Sequence, residues 1–180
     1  MELWDLYDID LHKTGETHER GKPVPEDRYH MVVHMVIFST DGKMLIQQRT
    51  DDKEGWPGLW DVTVGGSAVA GDDSRSAAQR EVMEEIGLPL DLTGITPRLI
   101  LPFDCGFDDI YTLIMDVDLT ALTLQESEVQ AVRWATEDEI LQMLEDGLFI
   151  PYHPSLISLL FALRDSRGAH VSKAGKAKEK

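Results

Sequence analysis

Residues 66–88 constrain the fold of this chain more strongly than any other segment. Their sequence is GSAVAGDDSRSAAQREVMEEIGL, in which Glu81, Glu84 and Glu85 stand at relative positions i, i+3 and i+4. On a helix this spacing places the three carboxylates along one stripe, where they repel one another unless a cation lies between them. Carboxylate oxygens suit Mg²⁺ or Mn²⁺, and these ions usually serve phosphate substrates. The segment is therefore predicted to form a helix that carries a divalent-metal site.

The ends and the buried face of this helix are also predicted. Asp73 or Ser74 can cap its N-terminus, and Gly87 can close its C-terminus. Apolar residues recur at every fourth position and should face the core; they are Ala78, Val82 and Ile86. This apolar stripe lies about a hundred degrees around the helix from the carboxylates. The helix can thus pack on a sheet and present its acids at the edge of a cleft.

Strands are predicted on both sides of the helix. Residues 3–25 begin with alternating apolar and polar side chains, which indicates a small N-terminal hairpin. The other predicted strands span residues 30–38, 43–49, 60–64, 98–103, 110–118 and 129–134. The first two of these flank the turn sequence STDG and form a second hairpin. The third is predicted to end at Gly65 and Gly66.

Two further helices complete the predicted fold. Thr136 and Glu139 form a capping box that opens a helix, and residues 154–163 form a last helix that is either core or dimer surface. The expected fold class is α/β in the α+β sense, with a mixed β-sheet sandwiched between helices. One domain is predicted over residues 1–168, with the hairpin at about 1–28. Residues 169–180 are polar and are predicted to be a disordered tail.

Charge and cysteine content restrict the classes of partner. The net charge of −16 opposes binding to nucleic-acid polymers and to anionic membranes. A small phosphorylated substrate stays compatible, because a bound metal ion can invert the local charge. The single cysteine, Cys105, fits a reducing compartment, and the acidic N-terminus does not resemble a signal peptide. No apolar run approaches the ~20 residues of a membrane span, so a cytoplasmic protein is expected.

A wider motif surrounds the three glutamates. Gly66 precedes Arg80-Glu81 by fourteen residues, and Asp72 precedes Arg80 by eight. The pattern resembles the Nudix box, GX5EX7REUXEEXGU, and matches it at every defined position except the first acid. The family has Glu at that position, whereas this chain has Asp72. The resemblance implies a metal-dependent hydrolase of diphosphate linkages.

The resemblance also implies a role for each residue of the box. Glu81, Glu84 and Glu85 would bind the metal ions that bridge a diphosphate, together with the backbone carbonyl of Gly65. Arg80 would pair with Asp72 and brace the loop against the helix. A glutamate in reach would take the proton of the attacking water, and Glu81 is the chosen base.

A second resemblance covers residues 30–66. The sequence around Gln48-Arg49, Lys53 and 56–60 (WPGLW) is similar to the type I isopentenyl-diphosphate isomerases, a Nudix-fold subgroup. In those isomerases an arginine and a lysine at this spacing hold the substrate diphosphate, so Arg49 and Lys53 are candidate phosphate contacts. The alternative is that both are ordinary solvent-exposed residues after a strand.

Departures from the isomerases favour hydrolysis. The isomerases carry a catalytic cysteine where this chain has Gly65, and a metal-binding histidine where it has Ser67. His30 matches another of their metal histidines, but one ligand cannot rebuild that site. The resemblance to the Nudix family then implies as substrate a nucleoside diphosphate derivative or a related small pyrophosphate. An isopentenyl-diphosphate isomerase and a non-catalytic nucleotide sensor are the alternatives, and a homodimer is compatible with each.

Several other residues have simpler interpretations. His30 and His34 are interpreted as sheet residues rather than ligands, and Trp56 and Trp60 as packing residues rather than base-stacking platforms. Cys105 is interpreted as a small structural or exposed thiol. Four acids are interpreted as solvated side chains, with a further metal ligand as the alternative for the first two: Asp108, Asp109, Glu126 and Glu128.

Overall fold

The computed structural model describes residues 2–166 together with 168 and 170. Its strands are β1 (Leu3–Tyr7), β2 (Lys13–Glu19), β3 (His30–Phe38), β4 (Met44–Arg49), β5 (Trp60–Asp61), β6 (Val64–Ser67), β7 (Leu99–Phe103), β8 (Gly106–Ile114) and β9 (Val129–Ala135). Its helices are α1 (Ser74–Ile86), α2 (Glu137–Glu145) and α3 (Pro154–Leu163). The predicted tail lies outside the described residues apart from residue 170. None of the described helices is long and apolar enough to cross a membrane.

The main sheet has seven strands and is mixed, as predicted. Its principal order is β5-β4-β3-β8-β7, while β6 pairs with β3 and β9 pairs with β4. Strand β3 runs parallel to β8 over its whole length and antiparallel to β4 and β6. Strand β3 is therefore a central strand of the sheet and is hydrogen-bonded to both β6 and β8.

Helices cover both faces of this sheet, because the side chains of β3 alternate between two cores. Val33, Met35 and Ile37 pack in one hydrophobic cluster with the buried face of α1. Val36 and Phe38 pack in a second cluster with residues of α2 and α3. The period of two along a strand therefore builds the predicted arrangement of a sheet between helices.

The predicted N-terminal hairpin is present as a separate two-stranded sheet. Strands β1 and β2 pair antiparallel, with Leu3 opposite Glu19. Reciprocal backbone hydrogen bonds of 2.8 and 3.0 Å join Tyr7 to Tyr29, and the Trp4 ring stacks on His30 with centroids 4.2 Å apart. These contacts fix the hairpin against the start of β3.

Helix α1 begins and ends as predicted. Asp73 is its N-cap and accepts a hydrogen bond from the backbone N–H of Ser76 at 2.8 Å. Gly87 ends the helix with a φ of 67°, a left-handed conformation that glycine adopts without steric cost. Both signals are local in sequence, and the boundaries follow from them.

The predicted strand at residues 60–64 is wrong in its bounds. It is divided into β5 and β6, and Gly65 and Gly66 lie inside β6 instead of ending it. The division occurs at Thr63, whose hydroxyl donates to the carbonyl of Leu45 at 2.6 Å and accepts from the N–H of Ile37 at 2.8 Å. The Thr63 side chain thus makes hydrogen bonds that backbone groups would make in a continuous strand.

The predicted strand at residues 110–118 is also displaced. Strand β8 begins at Gly106 and ends at Ile114, so Asp108 and Asp109 lie within it. Aspartate disfavours strands, but β8 is hydrogen-bonded to β3 on one side and β7 on the other. Pairing on both sides outweighs the local preference.

Candidate active site

Helix α1 and strand β6 face each other across a polar cavity of about 210 Å³. Gly65, Gly66 and Ser67 of β6 form one wall of the cavity. Four residues of α1 form the opposite wall: Arg80, Glu81, Glu84 and Glu85. The structure therefore brings the predicted metal ligands and the glycines before the helix into one site.

The lack of a side chain at Gly66 makes room for Glu81. A Cβ atom at Gly66 would lie 2.2 Å from Cδ of Glu81 and 2.4 and 2.5 Å from its carboxylate oxygens. These separations are far below van der Waals contact. The glycine at the start of the motif is therefore a steric requirement for the position of the Glu81 carboxylate.

Glu85 is an unusually buried acid. Only 7% of the residue is exposed, and its Oε2 accepts a hydrogen bond of 2.9 Å from Nε2 of Gln47. Burial, with a smaller contribution from the charges of Glu81 and Asp61, raises the pKa of Glu85 to about 7. Oε1 of Gln47 is buried without a hydrogen-bond partner among the described residues. A cation would stabilise the buried Glu85 carboxylate, and a hydrogen-bond donor or a cation would stabilise Oε1 of Gln47.

Arg80 organises the other two glutamates of the stripe. Its Nη1 donates to Glu81 Oε1 at 2.9 Å and to Glu84 Oε2 at 3.0 Å. Its Nη2 donates to the carbonyl of Ser67 at 3.1 Å, and its Nε donates to Asp72 Oδ2 at 3.1 Å. The contact between Arg80 and Asp72 is therefore made even though aspartate is shorter than glutamate.

The carboxylates fit a divalent cation by chemistry, although they are turned toward protein partners. Within the described part of the chain, no three His, Cys, Asp or Glu side chains are already gathered closely enough to hold a metal ion. Glu81 and Glu84 point to Arg80, and Glu85 points to Gln47. Burial raises the pKa of Glu81 as well, against the effect of Arg80. Buried oxygen ligands whose ionisation is opposed by burial are the groups that a hard cation would stabilise.

The two predicted phosphate contacts lie beside this cavity. Lys53 lines it and forms an ion pair with Glu128. Arg49 donates from Nε to the carbonyl of Gly55 at 2.9 Å and lines an adjoining cavity of about 300 Å³, which Lys53 also lines. Glu128 was expected to be a solvated acid, and the structure instead places it in the site.

A buried polar group in the adjoining cavity is not predicted by the sequence. Nε2 of His34 lies 3.2 Å from Asp108 Oδ1, and the hydroxyl of Tyr152 donates to Asp61 Oδ1 at 2.9 Å. Burial lowers the pKa of His34, but the contact with Asp108 and the charges of Asp61 and Glu85 together raise it, and the net shift is upward. The four residues of this group come from four separate segments, so no local pattern could have indicated the group. His34 is a residue of β3, as expected, and its side chain contacts Asp108.

Other residues have mixed outcomes. Trp60 is partly buried against the second core, as expected, with Arg133 over its ring at 5.1 Å. Trp56 is 52% exposed at the adjoining cavity, so its interpretation as a packing residue is wrong. His30 packs between the rings of Trp4 and Phe103.

The remaining thiol and acids lie away from the cavity. Cys105 lies half-buried in the turn between β7 and β8. Asp109 is 4% exposed and accepts a hydrogen bond from Ser74, so its interpretation as a solvated acid is wrong, whereas Glu126 is exposed as expected.

The comparisons with known proteins agree with this geometry. Residues 28–154 match the NUDIX domain family. The chain belongs to the Nudix hydrolase family. A Listeria monocytogenes protein described as an uncharacterised Nudix hydrolase is 42% identical over 170 residues, which cover 94% of this chain and 99% of that protein. Nudix hydrolase 3 of Arabidopsis thaliana is 35% identical over 166 residues, which cover 84% of this chain and 22% of that protein.

Two solved structures share the fold. A Deinococcus radiodurans protein superposes with a TM-score of 0.70 at 20% identity, covering 88% of this chain and 98% of its own. A MutT protein from Methanosarcina mazei superposes with a TM-score of 0.59 at 18% identity, covering 83% and 100%. Nudix hydrolases generally use divalent metal ions and act on small phosphorylated substrates. The two walls of the polar cavity, α1 and β6, lie within the matched residues.

Proposed function

We propose that this Nudix hydrolase cleaves the diphosphate linkage of a nucleoside diphosphate derivative or a related small pyrophosphate. Mg²⁺ or Mn²⁺ would be held by Glu81, Glu84 and Glu85 with the Gly65 carbonyl. The observation that carries the proposal is the buried carboxylate of Glu85, which faces the glycines of β6 with only an amide as its partner. A folded protein rarely keeps such an acid without a ligand that compensates for its burial.

Each side chain has a distinct part in the proposed reaction. A bound divalent ion would supply charge neutralisation and a more acidic water. Glu81 is assigned as the base because its carboxylate faces the cavity beside Gly66 and lies near the ligands. Arg80 fixes the positions of the Glu81 and Glu84 carboxylates through its hydrogen bonds. Lys53 is assigned to the substrate phosphate as a point charge, and Arg49 to a phosphate oxygen in the adjoining cavity.

The isomerase alternative is disfavoured by the surroundings of Gly65. A Cβ atom at Gly65 would lie 2.7 Å from Nδ1 of His34, a ring that also contacts Asp108. A cysteine at the position that the isomerases use would therefore require His34 to move. Incubation with isopentenyl diphosphate should yield no dimethylallyl isomer. A nucleotide sensor would instead bind nucleotide tightly without turnover.

The proposal is tested by metal-dependent release of phosphate or nucleotide from a panel of nucleoside diphosphate derivatives. The Glu85→Gln variant should lose more than about tenfold of the activity, because it weakens the hold on a metal ion whose stabilisation of the phosphate charge contributes several kcal/mol. Glu145→Gln is the matched control, since Glu145 is exposed at the end of α2. Full activity of Glu85→Gln, or no turnover of the panel by wild type, would contradict the proposal. A cytoplasmic location and a homodimer stay predictions from the sequence.

A further inference from the structure

The N-terminal hairpin contributes a charged residue to the cavity. Arg20 follows β2 directly and lines both the cavity at α1 and the adjoining cavity. Glu2, which precedes β1, lines the first of them. Both residues lie outside the stretch 28–154 that matches the family. The hairpin therefore reaches the site from outside the matched domain.

The hairpin is also tied to the loop that leads into α1. The N–H of Ala70 donates to the carbonyl of Leu3 at 2.7 Å, and the N–H of Gly71 donates to the carboxylate of Asp5 at 2.9 Å. Because this loop continues directly into α1, the hairpin and the metal-binding face are parts of one connected unit. The position of Arg20 is thereby set relative to the glutamates.

Arg20 has a partner that a stronger anion could replace. Its Nη1 lies 3.1 and 3.0 Å from the two carboxylate oxygens of Glu2, but the side chains are 57% and 35% exposed. An exposed ion pair of this kind contributes little free energy. Lys53, which also lines the cavity, is paired with Glu128, and these two side chains are only 21% and 28% exposed. Burial lowers the pKa of Lys53, and the charges of Arg49 and Arg20 lower it further.

We propose that Arg20 is a substrate-binding residue that exchanges Glu2 for the diphosphate of the substrate. A guanidinium can offer two parallel N–H donors to phosphate oxygens, whereas Glu2 now contacts only Nη1 of Arg20. Arg20 and Lys53 would then hold the anion from two sides while the glutamates hold the metal. This inference rests on the proposed function, because it assumes a diphosphate in the cavity.

The competing explanation is that the pair of Arg20 and Glu2 only closes the hairpin. The backbone N–H of Arg20 does donate to the carbonyl of Glu2 at 3.0 Å, as a closing pair would. The two explanations differ for Glu2→Gln, which breaks the ion pair but keeps the cation. If the ion pair only closes the hairpin, Glu2→Gln and Arg20→Met should change the Kd for a diphosphate in the same direction. If Arg20 contacts the phosphate, Arg20→Met should raise the Kd and Glu2→Gln should lower it.

The experiment measures binding of methylenebisphosphonate, a non-hydrolysable diphosphate, in the presence of Mn²⁺. Arg20→Met should raise the Kd about tenfold, since charge-assisted hydrogen bonds are among the strongest single contacts. Arg20→Lys should have an intermediate effect. Glu2→Gln should lower the Kd by about twofold, because the competing carboxylate is removed. Arg28→Met is the matched control, since Arg28 pairs with Glu16 of the same hairpin and lines neither cavity.

Three results would overturn the inference. They are an equal Kd for Arg20→Met and Arg28→Met, a Glu2→Gln variant weakened as much as Arg20→Met, and a wild-type protein that does not bind the bisphosphonate. Turnover of the nucleotide panel by wild type separates this inference from the proposed function. Turnover with no dependence of binding on Arg20 overturns the inference alone. Binding that depends on Arg20, without turnover of the panel, supports the inference and overturns the proposed substrate class.

Discussion

Helices α1 and α2 each carry a group of three acidic side chains, but at opposite ends, and α2 has a fourth acid, Glu145, as its last residue. In α2 the three grouped acids are residues 137–139 in the first turn, where Thr136 and Glu139 form a reciprocal capping box. In α1 they are Glu81, Glu84 and Glu85, in the C-terminal half. The helix dipole favours the first arrangement and opposes the second. Hydrogen bonding to the backbone of Thr136 lowers the pKa of Glu139, whereas burial raises that of Glu85 to about 7.

This difference separates acids that stabilise the fold from acids that cost stability. The carboxylates of α2 satisfy donors that the helix would otherwise leave free. Those of α1 are held by the side chains of Arg80 and Gln47 at the edge of a cavity, where the helix dipole opposes them. Acids in so unfavourable a place indicate a functional requirement.

The largest expected effect follows from Gly66→Ala. The new methyl group would occupy the position of the Glu81 carboxylate and displace it from the cavity wall. Activity should fall by about a hundredfold or more, because displacements near 1 Å at a catalytic group are that costly. Steady-state kinetics on the best substrate of the panel would measure this. Activity close to that of wild type would mean that the position of Glu81 does not matter.

Opposite signs of stability change are expected for the two helices. Glu85 ionises with a pKa of about 7 when folded, against 4.5 for the ordinary side chain. Stability is therefore lost as the pH rises from about 4.5 to 7, and the full cost is present above that range. At about pH 8 without metal, Glu85→Gln should stabilise the protein by ~1–3 kcal/mol, since glutamine can still accept from Gln47.

Glu139→Ala provides the matched comparison in α2. It removes half of a capping box, so it should destabilise the protein by ~0.5–1 kcal/mol. Urea denaturation in the presence of EDTA would compare both variants with wild type. A Glu85→Gln variant that is destabilised as much as Glu139→Ala would remove the distinction between the helices.

The two regions also differ in how well the sequence predicts them. Each cap of α1, and the stripe of three glutamates, depends only on residues within about one helical turn. The positions of Asp73, Gly87 and the glutamates could therefore be predicted from the sequence. The division between β5 and β6 could not, because it depends on Thr63 bonding to two other strands. The contact of His34 with Asp108 depends on the parallel register of β3 and β8, which no local signal specifies.

A moderate effect is expected from pH on metal affinity. Glu85 is largely protonated at about pH 6 and must release its proton to bind a cation, whereas at about pH 8 it is ionised. The Kd for Mn²⁺ should therefore rise about tenfold from pH 8 to pH 6. Calorimetric titration at both pH values would measure it. The same shift in the Glu85→Gln variant would assign the proton to another group.

The smallest effect is expected from Asp72→Glu, which restores the acid that the family pattern carries. Asp72 already accepts from Nε of Arg80 at 3.1 Å, so the longer side chain adds no missing contact. Activity and stability should stay within about threefold and ~0.5 kcal/mol of wild type. A large gain in activity would mean that aspartate leaves Arg80 poorly held.

Uptake of Mn²⁺ is the most direct test of the claim that the α1 acids serve a cation. Electron paramagnetic resonance of free Mn²⁺ at about pH 8 would follow binding by wild type, Glu85→Gln and Glu139→Ala. Wild type and Glu139→Ala should take up Mn²⁺ below millimolar concentration, and Glu85→Gln should bind at least about tenfold more weakly. Equal uptake by all three proteins, or no uptake by wild type at several millimolar Mn²⁺, would contradict the claim.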